Sequence, residues 1–220
     1  EQIKLICFYE KPMKGWLSIL KYSIIHNSLS NEVTRNYFKN IWKSSVSFAH
    51  DLSKFTKFKK NKIIYCDHHL SHTLSGLFYK KKYPYASIVV DGFGDSVCTS
   101  IHHVKSQDQI INSWSSDYPH SLGLFYSAIT DYLGFAVNEG EYKVMGLAAY
   151  GNPTFFDELK KTIYFKEGNL FLDTSFYDFD KSIQNSYSKK LTEIFKIDPR
   201  ESNLPLEIGN PIFQIYADIA

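Results

Sequence analysis

His68 and His72 stand four residues apart, and four residues is slightly more than one helical turn, so on a helix their imidazoles share a face. Paired neutral imidazoles suit a borderline divalent metal ion. The segment around them reads Asp67-His68-His69-Leu70-Ser71-His72. Asp67 is placed to cap that helix, because its carboxylate can accept from free first-turn N–H groups. About twenty residues on, Val89-Val90-Asp91-Gly92-Phe93-Gly94-Asp95 ends an apolar run in an acidic, glycine-rich turn. Gly92 and Gly94 would let backbone N–H groups approach an anion, and Asp91 offers a carboxylate that could take a proton. On spacing alone two readings stand. One is a metal and phosphate site; the other is a solvated histidine cluster beside an ordinary turn.

The elements that must carry these residues are legible from periodicity. Ile63–Tyr65 has a strand's composition and runs into Asp67. Ala86–Val90 reads as a buried strand, followed across the 91–95 turn by Val97–Val104 and then Ile110–Trp114. Upstream, Ile3–Tyr9 is near-continuously apolar, which predicts a strand buried on both faces, and Glu10-Lys11-Pro12 ends it. Trp16, Ile19, Leu20 and Ile24 then predict one buried helix face. Asn31 is placed to cap a second helix through Val33, Phe38, Ile41 and Trp42, and 57–62 is a polar link. Downstream, helices are expected over Ser121–Phe135, Val144–Tyr150, Phe156–Tyr164 and Ile212–Ala220, with a hairpin over Phe165–Leu172 and Met145 in the core. Residues 173–209 lack periodicity and carry Pro199 and Pro205, so they read as a mobile lid or excursion.

Composition sets outer limits. With 44% hydrophobic and 22% charged residues over 220 positions, the chain can bury a substantial core. No run approaches the ~18 apolar residues of a membrane helix. Cys7, Cys66 and Cys98 are odd in number and lack metal-type spacing, which fits reduced thiols in a cytoplasmic protein. Residues 1–62 carry 12 basic against 4 acidic side chains, and 63–220 carry 13 against 19. The basic half interleaves lysine with phenylalanine and serine, which favours a solvated helical surface over a nucleic-acid patch.

The two blocks above are followed by a third. It opens Pro119-His120-Ser121-Leu122-Gly123-Leu124-Phe125-Tyr126-Ser127-Ala128 and runs to Gly140-Glu141-Tyr142-Lys143-Val144-Met145-Gly146-Leu147-Ala148-Ala149-Tyr150-Gly151. In this order the three blocks resemble the NodU/CmcH family of carbamoyltransferases, which includes the tobramycin carbamoyltransferase. The resemblance is strongest over residues 63–153. It implies an α/β fold of the actin, sugar-kinase and Hsp70 group (ASKHA), with 1–220 as the central part of one such domain, incomplete at both ends. It implies a divalent metal, typically Fe(II), on His68 and His72, with a third ligand from an aspartate beyond Ala220. Asp91 falls on the family's acidic turn residue and would be catalytic. Gly92, Gly94 and Lys143 would bind the co-substrate phosphates, and Gly140 and Glu141 the acceptor; a surface ion pair is the other reading of Glu141. Carbamoyl phosphate and ATP would be joined as carbamoyl-adenylate in a YrdC-like domain elsewhere in the full-length chain. The domain here would pass the carbamoyl group to a small-molecule hydroxyl, with neither nucleic acid nor membrane as partner. Three other functions remain open: a kinase-like ATPase, which would need no histidine pair; a tRNA threonylcarbamoylation protein, which would share it; and an inactive interaction module.

Overall fold

A computed structural model of the chain describes residues 3–41, 47–56, 63–78, 82–182 and 185–220. Trp42 and the 57–62 link lie outside them. The chain divides into two compact units, residues 1–118 and 119–220.

In the first unit, β1 (Ile6–Phe8) pairs in parallel with β2 (Ile63–Tyr65), Cys7 opposite Ile64. Between them come α1 (Pro12–Ile25), α2 (Glu32–Ile41) and α3 (Phe48–Thr56). Pro12 starts α1, where its missing N–H is no loss. Asn31 caps α2 as expected, its Oδ1 accepting from Val33 N at 3.0 Å. Two expectations fail here. Ile3, Leu5 and Tyr9 are more than half exposed and Cys7, in the middle of β1, is exposed too, so the segment is not buried on both faces. The buried stripe of α1 runs Gly15, Ile19, Ser23, while Ile24 is 61% exposed. The reason is packing: a Cβ on Gly15 would stand 2.7 Å from the Asp95 carbonyl oxygen, so α1 is pressed against that backbone by its glycine face.

Then follow α4 (His68–Leu77), β3 (Tyr85–Gly94), β4 (Val97–Ser106) and β5 (Gln109–Asp117). The three strands form an antiparallel sheet in that order. Central β4 is the buried strand, with Cys98 and Val104 fully covered. In β3 the burial alternates instead: Val89 is buried, but Ile88 and Val90 are 67% and 52% exposed. A continuous apolar run does not reveal which face of a sheet is covered. The turn is also shorter than expected. Strand β3 runs on to Gly94, which pairs with Val97, and only Asp95-Ser96 turn, with Asp95 at φ 61°. The ladder loses register between Val90 and Gly94. Such an irregularity re-aims side chains, and it falls on Asp91.

In the second unit, α5 (Leu122–Tyr132), α6 (Glu141–Ala148), α7 (Phe156–Thr162) and the hairpin of β6 (Ile163–Lys166) and β7 (Asn169–Leu172) match the expected elements within a few residues. Met145 is 69% exposed, not in the core, because α6 turns Val144 and Leu147 inward. Residues 173–182 and 185–209 carry elements that their composition does not suggest. They hold a short 3-10 turn (Thr174–Phe176), a bridge between Tyr177 and Tyr187, and α8 (Lys189–Phe195). Tyr177, Leu191 and Phe195 join Tyr132, Leu133 and Val144 in the core. Arg200 is buried, its guanidinium donating to the carbonyls of Leu133, Gly134, Glu201 and Leu204. The unit closes with α9 (Pro211–Ile219), capped by Asn210.

Candidate metal centre

Three carboxylates fix the backbone around the histidine pair. Asp67 caps α4, accepting from Leu70 N at 3.3 Å, and its other oxygen meets Lys14 Nζ at 2.8 Å. Asp95 reaches across from the β3–β4 turn. Its Oδ2 accepts from His68 N at 3.0 Å and its Oδ1 from Lys11 N at 2.8 Å. One buried side chain thus ties the first turn of α4 and the entry to α1 to the end of β3. The third, Asp91, enters from the irregular stretch of β3.

Asp91 Oδ2 lies 2.7 Å from His68 Nε2 and 3.7 Å from His72 Nε2, and the two imidazole nitrogens are 3.1 Å apart. These three residues are a group whose donor atoms all lie within 4.8 Å of one another. Bonds of about 2.0–2.1 Å to one ion would put neighbouring donors about 3.0–3.4 Å apart, which this cluster nearly satisfies already. Without an ion, protons must hold the group together. The hydrogen bond to Asp91, and then the facing Glu10 carboxylate, pulls the His68 imidazole up to about 9. The same bond to His68 holds the Asp91 carboxyl down at about 2, against the cost of burial. A proton can bridge only two of the three donors at a time, whereas one divalent cation faces all three. The donor set fits a metal ion.

The other expected residues sort as follows. His69 points elsewhere: its Nδ1 pairs with Ser100 Oγ at 2.7 Å, and burial pushes its imidazole down to about 4. Gly92 N donates to Asp91 Oδ1 at 2.7 Å, and Gly94 packs against the His68 ring. Both glycines therefore shape the histidine–aspartate cluster itself. In the second unit, the Glu141 carboxylate accepts from Asn138 N at 2.8 Å, Gly140 N at 3.2 Å and Ser127 Oγ at 3.3 Å. That ties the start of α6 to the preceding turn. Lys143 Nζ sits 5.9 Å from the Phe135 ring centroid and 5.8 Å from that of Tyr142. His120 Nδ1 accepts from Leu172 N at 3.1 Å.

Sequence reasoning missed two residues. Asp95 was visible as the last residue of the acidic turn, but its reach to two helix starts depends on the fold. Glu10 lies 58 positions before His68 in the sequence, yet its Oε1 is 3.3 Å from His68 Nδ1. The third donor, expected from beyond Ala220, has a counterpart inside the chain in Asp91.

Several known proteins are similar to this chain over part of their length. A protein of Synechocystis, sll1178, is 29% identical over 218 residues, which cover 94% of this chain and 35% of the relative. The nodulation protein NolNO of Sinorhizobium fredii is 32% identical over 109 residues, 50% of this chain and 16% of the relative. The nodulation protein NolO of Bradyrhizobium diazoefficiens is 36% identical over 98 residues, 44% of this chain and 18% of the relative. The chain thus spans about a third or less of the length of these relatives. The family model described as the carbamoyltransferase N-terminus matches residues 20–198, a span that includes His68, His72, Asp91 and Lys143, and the chain belongs to that family.

Proposed function

We propose that this chain is the metal-binding part of an O-carbamoyltransferase of the NodU/CmcH type, built on an ASKHA-like α/β domain. The observation that carries the reading is the convergence of His68, His72 and Asp91, from a helix and a strand end, in a member of the carbamoyltransferase N-terminal family. Two imidazoles and a carboxylate suit Fe(II) and leave coordination positions open for substrate oxygens. The ion would supply Lewis acidity toward the carbamoyl donor.

The chain's own residues have distinct tasks in this reading. His68, His72 and Asp91 hold the ion. Asp67 and Asp95 set the position of α4. One Asp91 oxygen faces both imidazole Nε2 atoms, at 2.7 and 3.7 Å, so ligation suits Asp91 better than general base catalysis. Carbamoyl phosphate and ATP, joined as carbamoyl-adenylate by a YrdC-like domain, would supply the group to be transferred. Lys143 is a candidate contact for the donor phosphate, and Gly140 supports the turn before it. The names of NolNO and NolO favour an acceptor hydroxyl on a nodulation-factor-like molecule over tRNA.

The test uses the full-length protein. Metal content and carbamoyl transfer are measured for wild type and for the His68→Ala, His69→Ala, His72→Ala and Asp91→Asn variants. His69→Ala should keep its metal while the other three lose most of it, and transfer should follow the metal. Equal metal retention in all four variants would remove the basis for the reading.

A further inference from the structure

A histidine that gives one ring nitrogen to a metal leaves the other to be fixed by the protein, and that second contact decides the tautomer and the ring's angle. For His68 the nitrogen facing Asp91 and His72 is Nε2. Its Nδ1 is fully buried and, among the described residues, makes no hydrogen bond of good geometry. The carboxylate of Glu10 nevertheless stands 3.3 Å away, itself largely covered. A buried Nδ1 facing a carboxylate at that distance needs only a small ring rotation to donate its proton.

The backbone brings Glu10 there by construction. It follows β1, and the next residue, Lys11, has its N–H on Asp95 Oδ1. The other oxygen of Asp95 holds the N–H of His68. A single carboxylate therefore fixes the chain beside Glu10 and the chain at His68, and so sets the spacing between their side chains. Tyr9 adds its ring 5.5 Å from that of His68.

We propose that Glu10 is the positioning residue of the metal centre: it accepts a hydrogen bond from His68 Nδ1–H, fixes the Nε2 lone pair toward the ion, and raises the basicity of that ligand. The inference rests on the metal reading above. Glu10 itself touches neither metal nor substrate.

The test compares wild type, Glu10→Ala and Glu10→Gln in the full-length protein, with ferrous ion added alone under anaerobic conditions and competed against a chelator. Glu10→Ala should bind about 10- to 100-fold more weakly, the range typical of lost outer partners of metal-binding histidines. Glu10→Gln keeps a neutral acceptor oxygen and should lose less. Affinity within about twofold of wild type in Glu10→Ala would overturn the proposal, whatever happens to its thermal stability. Proton NMR gives a readout that does not need the metal. Wild type should show a downfield His68 Nδ1–H resonance that disappears in Glu10→Ala and persists, shifted, in Glu10→Gln. If wild type bound no ferrous ion, the metal reading would fail on its own, and this resonance would still decide whether Glu10 holds His68. Its absence from wild type overturns the proposal.

Discussion

A Cβ atom on Gly94 would stand 2.2 Å from Cδ2 of His68 and 2.6 Å from Cγ. No real Cβ tolerates such a neighbour, so the end of β3 and the first turn of α4 can meet only because residue 94 has no side chain. The ring has little room to retreat, because its Nε2 is held by Asp91 and its backbone N–H by Asp95.

Gly94→Ala should therefore act on the metal centre before it acts on the sheet. The added methyl must push the imidazole out of line with His72 and Asp91, or push α4 away from β3. Overpacking of this kind costs about 1–3 kcal/mol. The expected outcome is a folded protein with a modestly lower unfolding midpoint and a large loss of metal affinity. Metal titration beside thermal unfolding checks it. Wild-type affinity in Gly94→Ala would mean that the ring can move without consequence to the site.

This relationship also shows where sequence reading stops. The histidine pair was legible because helical spacing places i and i+4 on one face whatever the fold. Asp67 as a cap was legible because capping is local. Asp91 and the glycines stood out as a motif, but not what they do. Gly94 reads as a backbone donor for an anion until the fold puts an imidazole over it. The exposure of Ile88 and Val90 could not be read from an apolar run, since covering one sheet face or both leaves the same residue types. Residues 173–209 lack periodicity because Tyr177, Leu191 and Phe195 reach the core from a turn and a helix of seven residues, too short for a repeating pattern. Glu10 and Asp95 act over separations that no local pattern encodes.

Asp95 offers the sharpest test of that long-range architecture. Its carboxylate accepts from His68 N and Lys11 N, both at helix entries where no intrahelical partner exists. Asp95→Ala would strand two backbone donors, that of His68 in a buried place and that of Lys11 in a partly covered one. At about 1–3 kcal/mol for a buried unsatisfied group, and less for one that water can reach, the loss should be about 1–4 kcal/mol. Asp95→Asn keeps one acceptor oxygen but turns an amide NH2 toward the second N–H, so it should recover less than half of the loss. Urea unfolding of wild type and both variants measures this. An Asp95→Asn protein as stable as wild type would show that one of the two bonds contributes nothing.

The last expectation concerns pH in the chelator-treated, metal-free protein. Asp91 is held down at about 2 against an ordinary value of 3.8, chiefly by its hydrogen bond with His68. A lowered carboxyl stabilises the fold above its unfolded value, and that stabilisation fades as pH falls from about 3.8 through about 2. His68 is raised from 6.5 to about 9, chiefly by Asp91 and then by Glu10. A raised imidazole stabilises the fold fully below 6.5, and that contribution is lost as pH climbs through about 9. The imidazolium–carboxylate pair should thus help most between about pH 4 and 6.5 and weaken on either side. Urea midpoints of the metal-free protein should fall between pH 6.5 and 9, and the fall should be much shallower in Asp91→Asn, which removes the principal partner of His68. Parallel slopes for the two proteins would show that the His68–Asp91 pair does not form in solution. Saturating metal should flatten the same limb in wild type, because an ion at Nε2 displaces the proton whose loss the slope reports.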